Sequence, residues 1–199
     1  MTGSAELKLD ELLNKGGGYL LTADVVKTGI SKPTLAAFVR NRNLVRVAHG
    51  VYFSEDAWED DLFLIGTQNK AVCFSHETAL YLHHLMEREP SEYSVTIRNN
   101  YNGTSLRKRG ICVYRVRDDL FLLGMTEVET NYGHFVKAYD RERTICDIVS
   151  HKDKMDIQVF QSAMKEYMSL KDKKLRNLMR YAAVMGIEDK LRMYTEVML

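Results

Sequence analysis

No stretch of this chain stays apolar for anything near the roughly 20 residues a helix needs to cross a bilayer, so no membrane-crossing helix is expected in it. Its first residues, Met1-Thr2-Gly3-Ser4-Ala5-Glu6-Leu7, lack the basic and apolar regions of a secretory signal, and the cytosol is the expected compartment. Cysteine is scarce: Cys73, Cys112 and Cys146 are widely spaced and none belongs to a CxxC pair. Neither a disulfide framework nor a zinc site is therefore expected, and three buried thiols are the ordinary outcome. Gly16-Gly17-Gly18 lacks the following Lys-Ser/Thr of a phosphate-binding loop. No Ser/His/Asp or Cys/His grouping stands out, and no cofactor or enzymatic activity is expected.

Two further patterns fail on spacing. His76, His83 and His84 fall on one predicted helix at i, i+7 and i+8, whereas a helical zinc pair sits at i, i+4 or i, i+3. Gly103-Thr104-Ser105 followed by Asp118-Asp119 is superficially like a nucleotidyltransferase signature. That chemistry needs two carboxylates aimed at shared metal ions. Adjacent residues on a strand point to opposite faces, and the sequence predicts a basic patch, Arg107-Lys108-Arg109, and a strand where a helix should follow. A DNA-processing enzyme is accordingly the weakest reading.

What the chain does have is ordinary bulk composition with an uneven charge. Of 199 residues, 45% are apolar and 28% charged, as in a soluble folded protein, and the length allows two modest domains. The net charge of +1 divides into +3 for residues 1–53 (7 Lys/Arg, 4 Asp/Glu), −5 for 54–149 (11 and 16) and +3 for 150–199 (10 and 7). A basic end suits a polyanion if its charges share a face.

The first 53 residues carry the most specific pattern. A helix over 6–15 shows a Leu7, Leu9, Leu12, Leu13 stripe and ends at three glycines. Tyr19-Leu20-Leu21 is a short apolar bridge. Thr22 is read as the N-cap of a helix over 23–28, Gly29-Ile30 as a turn, and Ser31 as the N-cap of a second helix to Arg42 with Pro33 in its first turn. Residues 44–53 alternate and turn back like a hairpin at His49-Gly50. Helix, turn, helix and β-wing is the order of a winged helix-turn-helix, which points to double-stranded DNA. In the second helix Leu35, Phe38 and Val39 share one face, with Thr34, Ala37 and Asn41 opposite and Arg40 beside them. Lys27, Lys32, Arg40, Arg42 and Arg46 are the candidate phosphate contacts. Ser31, Thr34 and Asn41 are the candidate base readers, and His49 lies at the wing tip.

The acidic segment 54–60 reads as a surface junction, and 61–199 as an α+β domain of mixed strands and helices with a helical tail. In that tail Lys171, Lys173, Lys174, Arg176 and Arg180 form a basic run, either a solvated face or a second polyanion contact.

Two motifs in the second part extend the reading: a strand leading into Ser75-His76-Glu77-Thr78-Ala79-Leu80, and a strand leading into Asp140-Arg141-Glu142-Arg143-Thr144-Ile145-Cys146-Asp147. With the N-terminal winged helix and the helical tail, this layout resembles the AbiEi antitoxins of bacterial abortive-infection (type IV toxin–antitoxin) systems over essentially the full chain. The resemblance implies a transcriptional autorepressor that binds inverted repeats in its own promoter. It also implies a C-terminal domain that counteracts a nucleotidyltransferase-type toxin without a stable complex. A monomer or weak dimer would fill such an operator cooperatively. Arg143 and Asp147, at i, i+4, are read as a structural pair. The alternative is a ligand- or protein-responsive winged-helix regulator with no toxin partner.

Overall fold

The computed structural model describes residues 2–195, an α+β chain that divides into two compact units. Unit 1 is residues 1–68 with 130–134, and unit 2 is 69–129 with 135–199.

Unit 1 runs α1 (Thr2–Lys15), β1 (Tyr19–Leu21), α2 (Thr22–Lys27), α3 (Lys32–Asn41), β2 (Val45–Ala48), β3 (Val51–Phe53) and α4 (Asp61–Gln68). Its three strands pair antiparallel in the order β1-β3-β2, with a register shift between Arg46 and Ala48. Leu9 of α1 packs with Leu20, Val25, Leu35, Phe38 and Leu44, a core that one face of each helix supplies. α1 ends as its glycines predict: Gly17 and Gly18 take positive φ, and the Gly18 N–H donates to the Leu13 carbonyl at 3.0 Å.

Three expectations need correction here. Leu7 is not part of the apolar stripe: it is 66% exposed, because the i, i+4 geometry that turns Leu9 and Leu13 inward turns position 7 outward. Thr22 is not a cap. It is the first helical residue, preceded by Leu21, and its buried hydroxyl has no hydrogen-bond partner. Its N–H instead donates to the Gly50 carbonyl at 2.8 Å, pinning the hairpin turn to the start of α2.

The third correction is the boundary. Unit 1 does not stop at Phe53 but continues through 54–60, where Glu55, Asp56, Trp58 and Glu59 are exposed as expected, and through α4, and it takes in 130–134. Asp60, read as one more solvated acid, is buried. Its N–H donates to the Tyr19 hydroxyl (2.8 Å), and its Oδ1 accepts from the Phe63 N–H (2.9 Å). Its Oδ2 accepts from Thr130 Oγ1 (2.5 Å) and faces His134 Nδ1 (2.7 Å). Phe63 and Leu64 then pack on the Tyr19, Val51, Phe53 cluster.

Unit 2 contains β4 (Cys73–Phe74), α5 (His76–Leu82), β5 (Ser94–Arg98), α6 (Thr104–Lys108), β6 (Cys112–Val116), α7 (Asp118–Phe121), β7 (Met125–Glu129) and β8 (Phe135–Tyr139). After these come α8 (Arg141–Ser150), α9 (Ile157–Ser169), α10 (Leu175–Met185) and α11 (Glu188–Thr195). The five strands lie in the order β6-β5-β4-β8-β7, antiparallel at β4–β5 and β7–β8 and parallel at β4–β8 and β5–β6. α8 is the central element, with every residue from Glu142 to Val149 buried. Its Ile145, Ile148 and Val149 pack with Leu80, Phe160, Met164, Tyr167, Leu178 and Leu191, so the period-3.6 apolar pattern of the tail is that of helices laid against α8. Among the described residues no helix is long and apolar enough to cross a membrane.

Candidate nucleic-acid interface

All nine candidate DNA-binding residues lie in unit 1. Ser31 caps α3: its Oγ accepts from the Thr34 N–H at 3.3 Å, and the two hydroxyls bond each other at 2.9 Å. Leu35 and Phe38 turn into the core, while Lys32, Pro33, Ala36, Arg40 and Asn41 are exposed. Thr34 and Ala37 are only half-exposed, so the outward face is centred one position from the predicted one, on Ala36.

The cations divide by partner. Lys27 pairs with Asp24 on the same helix at 2.8 Å. Arg42 reaches back to Asp10 of α1 at 2.6 Å, with its guanidinium over the Phe38 ring. Arg46 donates to the Ala48 carbonyl (3.3 Å) and to His49 Nδ1 (3.0 Å), closing the hairpin turn with a side-chain bridge. Because arginine only donates, His49 accepts at Nδ1 there. Lys32 and Arg40 have no ion-pair partner among the described residues, and both project outward. The structure thus retains Lys32 and Arg40 as outward charges, and ties Arg42 to the α1–α3 packing.

The C-terminal basic run is mixed in the same way. Lys173 Nζ donates to the Leu170 carbonyl (3.0 Å), the Arg180 guanidinium lies over the Tyr181 ring, and Asp172 takes both ends of Arg141. Lys171, Lys174 and Arg176 are exposed, with Arg176 and Arg180 one turn apart on α10.

In unit 2 the two motifs meet. Ser75 stands at the N-cap of α5, but its side chain makes no cap bond. Its Oγ accepts from Thr96 Oγ1 (2.8 Å) and bonds His76 Nδ1 (3.0 Å). The His76 ring stacks on Tyr114, with centroids 3.4 Å apart, and its Nε2 faces His151 Nδ1 at 3.2 Å. His76 is buried at φ +50°, a left-handed backbone that a non-glycine residue holds only when its surroundings compel it. Burial lowers its pKa well below the usual histidine value, so the ring is neutral.

Asp140, Arg141, Glu142 and Arg143 each tie α8 to another element, and Asp147 pairs with Arg143 within it. Asp140 caps α8 through the Arg143 N–H (2.8 Å) and accepts from the Tyr181 hydroxyl (2.9 Å). Arg141 pairs with Asp172 (2.6 Å). Glu142 accepts from the Tyr167 hydroxyl (3.1 Å) and the Lys174 N–H (2.9 Å). Arg143 and Asp147 form the expected i, i+4 pair, Nε to Oδ1 at 3.0 Å, both fully buried. Arg143 also donates to the carbonyls of Leu120 (2.6 Å) and Leu123 (2.8 Å) and lies over the Tyr139 ring. Gly124, at φ +75°, is required beside it: a Cβ there would stand 2.6 Å from Arg143 Cβ.

The histidine and carboxylate expectations change. α5 ends at Leu82, because His84 takes φ +56° and breaks the helix, so His76, His83 and His84 share no face. His83 bonds the Tyr139 carbonyl at 2.7 Å. A short helix, α6, does follow Gly103, and Asp118 and Asp119 open α7 instead of lying on a strand. Both are exposed and paired to different arginines, Asp118 with Arg98 (3.4 Å) and Asp119 with Arg117 (2.8 Å). Among the described residues no group of three or more His, Cys, Asp or Glu could hold a metal ion. Cys73 and Cys146 are buried, Cys112 is half-buried and all three are free; burial pushes the Cys146 thiol up to about 12.

No family model and no curated protein matches the chain. Among solved structures it is similar to the RV2827C protein from Mycobacterium tuberculosis, with a TM-score of 0.53 and 13% sequence identity over 92% of this chain and 75% of that one. At that identity the likeness is one of fold.

Proposed function

We propose that unit 1 is a winged helix-turn-helix that binds double-stranded promoter DNA, and that the protein is an autorepressing antitoxin of the AbiEi kind working in the cytosol. The observation that carries the DNA reading is α3: a capped helix whose inner face is core and whose outer face offers Lys32 and Arg40, without ion-pair partners among the described residues. The order helix, short strand, two helices and β-hairpin supports it, with α3 in the recognition position and the His49-Gly50 turn as the wing tip. Affinity comes from Lys32, Arg40 and the wing residues Arg46 and His49 on the backbone, and selectivity from the outward face of α3.

Antitoxicity is assigned to unit 2. The support is the resemblance carried by Ser75–Leu80 and Asp140–Asp147, two segments bridged by the half-buried His151, whose Nδ1 faces both His76 Nε2 and the Asp147 backbone carbonyl. The partner is a nucleotidyltransferase-type toxin encoded beside this gene.

The test uses the full chain in two assays: repression of a reporter placed behind the protein's own upstream DNA, and rescue of growth from the neighbouring toxin. Lys32→Ala with Arg40→Ala should lose repression and keep rescue. Failure of the unaltered protein to rescue removes the antitoxin role; unchanged repression by the double variant removes the assigned DNA face.

A further inference from the structure

Several polar groups along α3 already have partners within the protein, although the exposed Ser31–Thr34 pair keeps one O–H free. The Ser31 and Thr34 hydroxyls bond one another, and Arg42 is drawn back to Asp10. Asn41 is exposed but stands one position past Arg40, about 100° further round the helix. What faces outward along the middle of α3 is the Pro33 ring and the Ala36 methyl, with Ala37 half-covered beside them. None of these side chains has a donor or an acceptor.

Lys32, Ala36 and Arg40 recur at i, i+4 and i+8, so they fall on one side of the helix. The two cations are eight residues apart, about 12 Å at 1.5 Å per residue. That separation matches the roughly 12 Å width of a B-DNA major groove. A helix seated so that each end meets a phosphate wall presents the Ala36 methyl to the base edges between them. In the major groove one base feature is apolar, the 5-methyl group of thymine.

We infer that α3 selects its DNA by contact of the Ala36 methyl with a thymine 5-methyl group, with Lys32 and Arg40 holding the flanking phosphates. This rests on the DNA-binding reading above. It names the chemistry of the selectivity: a hydrophobic contact that replaces a bidentate hydrogen bond at the centre of the helix. Pro33 and Ala37 widen the apolar surface.

The direct experiment replaces every thymine of the upstream DNA by uracil, which removes the methyl and keeps all base-pair hydrogen bonds. Binding of the full protein to the thymine and uracil duplexes is then compared across a salt series, with Ala36→Ser measured in parallel. Each buried methyl contributes about fourfold in affinity. The uracil duplex should therefore bind at least about fourfold more weakly with an unchanged salt slope, and Ala36→Ser should shrink that difference. Equal affinity for the two duplexes overturns the inference. So does a uracil penalty that survives in full in a folded Ala36→Ser, since the penalty then comes from DNA shape. Failure to distinguish the thymine duplex from an unrelated one overturns the DNA-binding reading itself. The duplex comparison needs no variant, so a misfolded Ala36→Ser leaves it intact.

Discussion

Arg143 Nε meets Asp147 Oδ1 at 3.0 Å across one turn of a buried helix, while the Arg143 Nη2 and Asp147 Oδ2 atoms beside them are buried with no hydrogen-bond partner. The pair holds α8 to the 120–123 segment, yet it is not fully satisfied within itself. Burial pushes the Asp147 carboxyl up against the pull of the Arg143 guanidinium. Removing one partner leaves the other charge buried and uncompensated, whereas removing both relieves two desolvation costs. Arg143→Met or Asp147→Leu alone should destabilise unit 2 by about 3–5 kcal/mol, and the double variant by clearly less than the sum. Urea unfolding of the four proteins measures this. Additive losses would mean that the two side chains act independently.

Stability should fall as the solution is acidified from neutrality. His76 and His83 both have pKa values lowered by burial. The unfolded chain takes up protons near histidine's ordinary pKa of about 6.5 while the folded ring does not. Their stabilisation is therefore present above that pH and lost as pH falls through it, at up to about 1.4 kcal/mol per pH unit for each proton. His76→Asn, which tolerates the left-handed backbone, should flatten the slope between pH 7 and pH 5 in urea midpoints. An unaltered slope would assign the pH dependence to other groups.

Gly17 and His134 fit one another in unit 1. Gly17 has φ +55°, and a Cβ there would lie 2.7 Å from His134 Nε2, which bonds the Gly16 carbonyl at 3.0 Å. Gly17→Ala combines left-handed strain of about 1–2 kcal/mol with displacement of that ring. It should lower the melting temperature more than Gly3→Ala, where a Cβ meets nothing within 4 Å. Equal melting temperatures would show that the 130–134 turn adapts without cost.

Much of this architecture was legible in residue patterns. The cap at Ser31, the glycine end of α1, the hairpin at His49-Gly50 and the helical period of the tail are all local signals, and the structure follows them. What could not be read is long-range. Asp60 looked solvated because its neighbours are acidic; its partners Thr130 and His134 lie 70 and 74 positions away. His151 carries no motif of its own, and its half-buried ring meets His76 across 75 positions. On α3 the outward face was misplaced by one position, because which of Ala36 and Ala37 is covered depends on tertiary packing. Arg42 counted as a free cation because its partner, Asp10, lies on another helix.

That difference among the arginines and lysines is itself measurable. Removal of one phosphate contact should reduce the salt slope of DNA binding by about 0.9. Lys32→Ala and Arg40→Ala should each show this reduction. Arg42→Ala should leave the slope nearly unchanged and cost stability by removing the ion pair with Asp10 and the stacking on Phe38. A full unit of slope missing in Arg42→Ala would place that residue on DNA.

The most direct measurement is a gel shift of the full protein on the DNA upstream of its own gene, beside an unrelated duplex of equal length and across a salt series. Selective, salt-sensitive retardation in two steps is expected, with the slope falling by nearly two in the Lys32→Ala, Arg40→Ala double variant. Equal affinity for both duplexes, or an unchanged slope in the folded double variant, would contradict the assignment of α3 as the DNA-reading helix.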